Sequence, residues 1–125
     1  MSWTLFTVEQ VVAVHDAVLN PGELQGLALD KSLEGALARV DHRLAYGMIG
    51  DVFDLAGAYG EALSQGHCFN DANKRTAFRV MHLCCHLHGV RIPLDEEVIG
   101  PKVIALAQGA MSAEEMAGWL REVAV

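Results

Sequence analysis

The sequence predicts one all-α domain of about six helices that spans residues 1–125. Three observations favour this class. Apolar residues recur at helical spacing between glycine- and proline-containing breaks. Two segments begin with a capping box, and no alternating run is long enough to support a sheet. A chain of this length can bury one core. With 52% hydrophobic and 6% aromatic residues, that core should be mainly aliphatic.

Polar capping residues and turn signals bound the first two helices. Thr7 and Gln10 form a capping box before VEQVVAVHDAV, which should end at Asn20-Pro21-Gly22. After a glycine-containing loop, Asp30 is expected to cap the second helix, and Gly47 should end it. The apolar face of this helix consists of Leu33, Ala36, Leu37, Val40 and Leu44.

The third and fourth helices follow the same logic. Asp51 can cap VFDLAGAYGEALSQ, which should end at Gly66. The fourth helix should begin within ANKRT and end just before Gly89, a residue suited to the position past a helix terminus.

The last part of the chain is interrupted by prolines. VRIPL is expected to be extended because Pro93 disfavours helix at the residue before it. Gly100-Pro101 should disturb or divide the fifth helix, DEEVIGPKVIALAQ. Ser112 and Glu115 form the second capping box and begin the sixth helix.

Charge and composition exclude several classes of protein. The formal net charge of −7 disfavours direct binding to nucleic acid or to an anionic membrane. No apolar run reaches the ~18 residues that a membrane span requires. The start, MSWTLFTVEQ, has no signal-peptide pattern, and three cysteines without a framework spacing suit reduced thiols. We therefore expect a cytoplasmic protein.

The stretch HCFNDANKRT, residues 67–76, concentrates polar side chains between the third and fourth helices. Unpaired N–H groups and the positive dipole end at a helix N-terminus favour an anion. Lys74 and Arg75 add cationic donors at the same end. Together with Arg79 one turn later, they outnumber the segment's one acid, Asp71, three to one. This concentration of donors predicts a phosphate site.

Two side chains of this stretch suggest a reaction. A carboxylate among phosphate-binding groups is costly unless a cation lies between them, so we expect Asp71 to bind Mg²⁺. Neutral His67 is suited to accept a proton from a hydroxyl group. Phe69 should anchor the loop to the core, and Asn73 should tie its backbone together. Each residue also has an ordinary structural explanation, but their convergence on one helix start favours phosphoryl or nucleotidyl transfer.

The stretch resembles the active-site motif of the Fic/Doc superfamily, H-x-F-x-[DE]-G-N-G-R-x-x-R, and especially its Doc (death on curing) branch, which shares N-K-R-T. Ala72, Lys74 and Phe78 replace the two glycines and the last arginine. A second segment, PGELQGLALDKSLEGALARV, is similar to the family's G-x-x-G-x-x-D-x-x-L-E-x-A-L-A-R. The resemblance covers most of the chain and implies a Fic/Doc-like helical fold. The motif positions that match are His67, Phe69, Asp71, Asn73 and Arg75.

The resemblance implies a transferase. Members with the complete motif transfer AMP, and their second motif glycine lets the α-phosphate approach the backbone. Doc-like members with the lysine instead bind ATP in a reversed sense and phosphorylate a threonine of elongation factor Tu, which arrests translation. By this resemblance His67 is the base, Asp71 holds Mg²⁺, and Asn73, Lys74, Arg75 and Arg79 surround the phosphates of ATP. Two alternatives remain open: AMP transfer to a protein hydroxyl, and a non-enzymatic module that binds a nucleotide or a protein.

Regulation by a separate partner is also implied. Many Fic enzymes carry an inhibitory motif of Ser or Thr, three residues, Glu, and then Gly or Asn. Here Glu34 precedes Gly35, but Asp30 stands where the motif needs Ser or Thr, so the motif is absent. The resemblance therefore implies a Phd-like antitoxin. Gln65 departs from the arginine that some Doc-like sequences carry before the Gly-His pair.

Two other groupings have alternative interpretations. A metal site is one interpretation of the group formed by His82, His86, His88, Cys84 and Cys85, in which His82 and His86 lie one helical turn apart. We expect instead a structural helix with the cysteines in the core. His15-Asp16 resembles the metal-binding pair of HD-type phosphohydrolases. No histidine precedes it, so we predict a feature of the first helix without an assigned role.

Overall fold

The computed structural model describes residues 2–93 and 95–125. Within this part of the chain the only β-pairing is an isolated antiparallel bridge between Leu27 and Phe69, and no helix is long and apolar enough to span a membrane. The predicted all-α class is therefore confirmed. The helices are α1 (Val8–Val18), α2 (Leu33–Ala45), α3 (Val52–Gly66), α4 (Asn73–Leu87), α5 (Glu96–Ala107) and α6 (Ala113–Val123).

Side-chain caps define most helix starts. Both predicted capping boxes are confirmed, at Thr7 for α1 and at Ser112 for α6, and Asp51 caps α3 as expected. The predicted cap of α2 is wrong. Ser32, not Asp30, accepts the Gly35 N–H at 2.9 Å. A capping side chain must reach an N–H group two or three residues downstream, and Asp30 lies too early for a helix that begins at Leu33.

Of the two expected effects of Gly100-Pro101, disturbance or division of the fifth helix, division does not occur, because α5 is continuous. A proline inside a helix removes one hydrogen bond, to the carbonyl four residues earlier. Here that residue is Glu97, and Glu97 and Pro101 are both exposed, so water can satisfy the freed carbonyl. Residues 90–93 of the VRIPL segment lie outside helices and strands, and Leu94 lies outside the described residues.

α3 is the central helix of the domain. Ten of its 15 residues are buried, and it contacts α2, α4, α5 and α6. Small residues on its surface allow this close packing. An added Cβ at Gly57 would lie 2.5 Å from the Ala113 carbonyl oxygen at the start of α6. The loop that contains His67 follows directly from the C-terminal end of this tightly packed helix.

We expect Gly57→Ala to lower the free energy of unfolding by about 1–3 kcal/mol, because the new methyl group meets rigid backbone. The matched control is Gly118→Ala on α6, where an added Cβ meets no atom within 4 Å. Because alanine has a higher helix propensity than glycine, Gly118→Ala should raise the free energy of unfolding by up to about 1 kcal/mol. Urea unfolding of both variants tests this packing, and equal stabilities would contradict it.

Candidate functional site

The α3–α4 loop, residues 67–72, has an unusual backbone at both ends. His67 ends α3 with φ 48°, and Ala72 precedes α4 with φ 64°. Residues with a Cβ pay roughly 1–2 kcal/mol in this left-handed region. Ala72 occupies a position where the family motif has glycine, the residue that adopts this conformation most easily. Surrounding contacts must therefore offset the strain.

Phe69 and Asn73 hold the middle of this loop. Phe69 is buried with 4% of its surface exposed. The Asn73 side chain accepts the Phe69 N–H at 3.0 Å and donates to the Phe69 carbonyl at 2.9 Å. The Asn73 side chain thus ties the loop to the start of α4, and its backbone N–H, the first of the helix, has no intrahelical acceptor.

A second set of contacts joins the loop to the segment before α2. The Ala28 N–H donates to the Cys68 carbonyl at 2.8 Å, and the Asn70 N–H donates to the Gly26 carbonyl at 3.2 Å. These bonds flank the bridge between Leu27 and Phe69. The segment that resembles the second family pattern thus lies directly against the active-site motif.

Asp71 is half-buried and is fixed through both its backbone and its side chain. Its carbonyl oxygen accepts a hydrogen bond from His15 Nε2 at 2.8 Å, and Oδ2 accepts the Leu24 N–H at 2.8 Å. Within residues 2–93 and 95–125, Oδ1 makes no hydrogen bond, and no group of three metal-ligating side chains occurs. A single carboxylate with one free oxygen fits Mg²⁺, which usually keeps its waters and phosphate ligands.

The start of α4 differs from the other helix starts. Among the helices of the described residues, α4 alone has no side-chain cap, whereas polar side chains cap the other five. Its first N–H groups are therefore left for another acceptor. His67, at the first position of the loop, and Lys74, in the first turn of α4, are both exposed. This arrangement can accept an anion beside an imidazole.

The side chain of Arg75 forms hydrogen bonds within the protein. Its guanidinium donates to both carboxylate oxygens of Glu23, at 2.8 and 2.5 Å, and to the Val18 carbonyl at 2.6 Å. The hydrogen bonds to Glu23 raise the pKa of this guanidinium, and the nearby carboxylate of Glu96 adds to the effect. These carboxylates come from distant parts of the sequence, so the local excess of positive charge is smaller than the motif alone predicts.

The pair between Arg75 and Glu23 should make stability depend on pH. Hydrogen bonds from Arg75 lower the pKa of Glu23 from its ordinary 4.5 to about 2. A lowered folded-state pKa stabilises the fold above the unfolded value, and this stabilisation is lost as the pH falls towards the folded value. We therefore expect Glu23→Gln to lose less stability than the unmodified protein between pH 4.5 and about 2.

Urea unfolding at about pH 6 and about pH 3 measures this difference. Glu122→Gln is the control, because Glu122 is exposed and forms no ion pair within the described residues. Identical pH profiles for Glu23→Gln and Glu122→Gln would contradict the pairing.

A cleft begins beside these cations. Its volume is about 180 Å³, and its lining combines the charged residues Lys74, Arg75 and Glu96 with the apolar side chains of Phe78, Ile99 and Val103. A wider groove next to it also includes Arg79. Arg79 is exposed, and its guanidinium lies 3.3 Å from His82 Nδ1. The cleft thus joins two basic side chains and one carboxylate to an apolar wall.

Comparison with known proteins decides the family. The Fic/DOC family model matches residues 5–85, which is more than half of the chain. The chain belongs to the Fic/DOC family. It is also 34% identical over 116 residues to the protein kinase doc of Escherichia phage P1, and the match covers 92% of this chain and 91% of that protein.

In this Fic/DOC chain, the sequence did not predict that His15 would contact the α3–α4 loop. His15 is fully buried, and its ring stacks on Phe69 with centroids 3.8 Å apart. The sequence singled out His15-Asp16 but gave no sign of a partner 56 positions away. The Gln65 amide, which stands where some Doc-like sequences have arginine, donates to the Leu106 carbonyl at 2.9 Å.

For the histidines and cysteines of α4, burial favours the structural interpretation over a metal site. Cys84 and Cys85 are fully buried, and burial raises their pKa to about 12 and about 11. The thiolate is the form that binds metals, so these thiols are poor ligands. The ring centroids of His82 and His86 lie 6.5 Å apart; His82 is half-buried and His86 is exposed.

Proposed function

We propose that this Fic/DOC chain is a Doc-like toxin that transfers the γ-phosphate of ATP to a serine or threonine hydroxyl of a translation factor. The observation that carries the proposal is the entry to α4. An exposed histidine, a fixed carboxylate and a lysine lie around a helix N-terminus that has no side-chain cap. The relative named protein kinase doc supports this reaction class.

Each side chain has a role in this reaction. His67 takes the proton of the acceptor hydroxyl, whose oxygen forms a bond to the γ-phosphorus as the bond to the β–γ bridging oxygen breaks. ADP leaves with that oxygen. Lys74 and the first N–H groups of α4 stabilise the negative charge on the transferred group. Arg75 and Arg79 contribute positive charge from the rim of the cleft.

The cleft favours γ-phosphate transfer over AMP transfer. With the terminal phosphate at the start of α4, the nucleoside would extend along the apolar wall formed by Phe78, Ile99 and Val103. AMP transfer would need the reverse direction, with terminal phosphates against Phe78, which has replaced the last motif arginine. Lys74, in place of the second motif glycine, also narrows the approach for an α-phosphate.

Magnesium fits the free oxygen of Asp71. When bound there, the ion would neutralise charge on the phosphates and orient them. The bond from the Leu24 N–H to Oδ2 holds the carboxylate in one direction. Asp71 thus presents a positioned ligand rather than a mobile one.

The proposed target is elongation factor Tu, whose phosphorylation would arrest translation, and the proposed partner is a Phd-like antitoxin. Both follow from the similarity to Doc and from the missing inhibitory glutamate motif. ATP and a translation factor are cytoplasmic, and we propose that the protein acts there. Overexpression without the antitoxin gene should stop growth, and harmless overexpression would argue against a toxin.

The reaction is tested by incubating the protein, Mg²⁺ and elongation factor Tu with ATP that carries label on either the γ- or the α-phosphate. We expect label on the factor only from the γ-position. Label only from the α-position would replace the kinase with AMP transfer. Nucleotide binding without labelling of the factor, or of any protein in a ribosome-free extract, would support the binding-module alternative.

A further inference from the structure

His15 contacts the catalytic loop from behind. It lies on α1, none of its surface is exposed, and its Nε2 donates to the Asp71 carbonyl at 2.8 Å. The ring is nearly parallel to that of Phe69, with 7° between the planes. Nδ1 faces the carboxylate of Asp16 at 3.2 Å. A single side chain therefore holds both the apolar anchor and the acidic residue of the loop.

The hydrogen bond from His15 holds the peptide group between Asp71 and Ala72 in place. The Asp71 carbonyl belongs to the peptide that leads into Ala72, where the backbone is left-handed. If the donor were removed, a carbonyl facing a buried ring would lose its partner. The peptide would then be free to rotate, and the Asp71 side chain would move with it.

We propose that His15 is a positioning residue that sets the direction of the Asp71 carboxylate. The inference rests on the proposed function, since it assigns His15 a part in phosphoryl transfer. The ring has no exposed surface and touches no substrate, so it acts through Asp71 and Phe69. Loss of a partner that orients a metal-binding carboxylate typically costs 10–100-fold in activity, and small displacements of catalytic groups have comparable effects.

Two substitutions separate the contacts. His15→Phe keeps an aromatic ring against Phe69 but removes the Nε2 donor. His15→Gln places an amide nitrogen where Nε2 was, and it should restore the bond to Asp71. The matched control is His88→Phe. His88 Nδ1 also donates to a backbone carbonyl, that of Cys84, at 2.7 Å. His88 follows the last residue of α4 and therefore lies about 20 Å along the helix axis from the α3–α4 loop.

In the phosphate-transfer assay, we expect His15→Phe to lower kcat by about 10–100-fold while KM for ATP stays within about threefold. His15→Gln should recover most of that loss, and His88→Phe should leave kcat unchanged. A His15→Phe variant that keeps its kcat overturns the proposal. The proposal is also overturned if kcat falls in both His15→Phe and His88→Phe in proportion to the decrease of their Tm values. Lower stability alone would then explain the loss of activity.

A second readout does not depend on activity. The Leu24 amide bonds the Asp71 carboxylate, so its proton chemical shift reports where that carboxylate lies. We expect this signal to move upfield in His15→Phe, to return in His15→Gln and to stay in place in His88→Phe. If the unmodified protein transfers no phosphate, the proposed function fails, and the Leu24 signal alone decides whether His15 positions Asp71. An unmoved signal in His15→Phe overturns the proposal.

Discussion

Replacing His67 with asparagine is expected to lower kcat/KM for phosphate transfer by about 10²–10⁴-fold, the usual contribution of a general base. Asparagine tolerates the left-handed backbone that His67 adopts at φ 48°, so the fold should be retained. Because His67 is exposed, its loss also creates no cavity. Steady-state kinetics and thermal unfolding of the same sample separate the two effects.

His86→Asn is the control for this experiment. His86 is exposed on the last turn of α4, away from the loop. We expect its kinetics to match those of the unmodified protein. A His67→Asn variant that retained full activity would show that the hydroxyl proton goes elsewhere, and the proposed mechanism would be wrong.

The second large effect is expected at Asp71. Asp71→Asn keeps an oxygen that can accept the Leu24 N–H but removes the negative charge proposed to bind Mg²⁺. A metal ion stabilises transition-state charge by several kcal/mol, so kcat/KM should fall by about 10²–10³-fold. The Mg²⁺ concentration that gives half-maximal rate should rise as well, which a purely structural role would not cause.

Asp41→Asn supplies the matched control, since Asp41 is exposed on α2 and far along the chain from the loop. Its rate and Mg²⁺ dependence should be unchanged. If Asp71→Asn lowered the rate with an unaltered Mg²⁺ dependence, the carboxylate would serve the loop's structure rather than the metal.

The sequence predicted the helices well because their starts are local. The capping boxes at Thr7 and Ser112 require residues only three positions apart, and such patterns can be read directly. The cap of α2 was harder, because Asp30 and Ser32 are both good capping residues and only the helix register decides between them. The effect of Pro101 was hard to predict for a different reason. The cost of the lost hydrogen bond depends on whether water reaches the Glu97 carbonyl, and the sequence does not reveal this.

The candidate site was predicted only in part, for a similar reason. The loop, the Phe69 anchor and the Asn73 tie all lie within a few residues of one another, so their contacts follow from the motif. The pairing of Arg75 with Glu23 and the contact between His15 and Asp71 join residues more than 50 positions apart. No periodic pattern in the sequence predicts such pairs, because they depend on how α1 and the loop after it pack against α4 and the loop before it.

The central claim is that the start of α4 holds the terminal phosphate of ATP beside His67. The most direct test is a crystal structure of the protein with Mg²⁺ and a non-hydrolysable ATP analogue. We predict the γ-phosphate at the first N–H groups of α4, between His67 and Lys74, with the base in the cleft beside Phe78. An α-phosphate in that place, or a nucleotide bound elsewhere on the protein, would contradict the account.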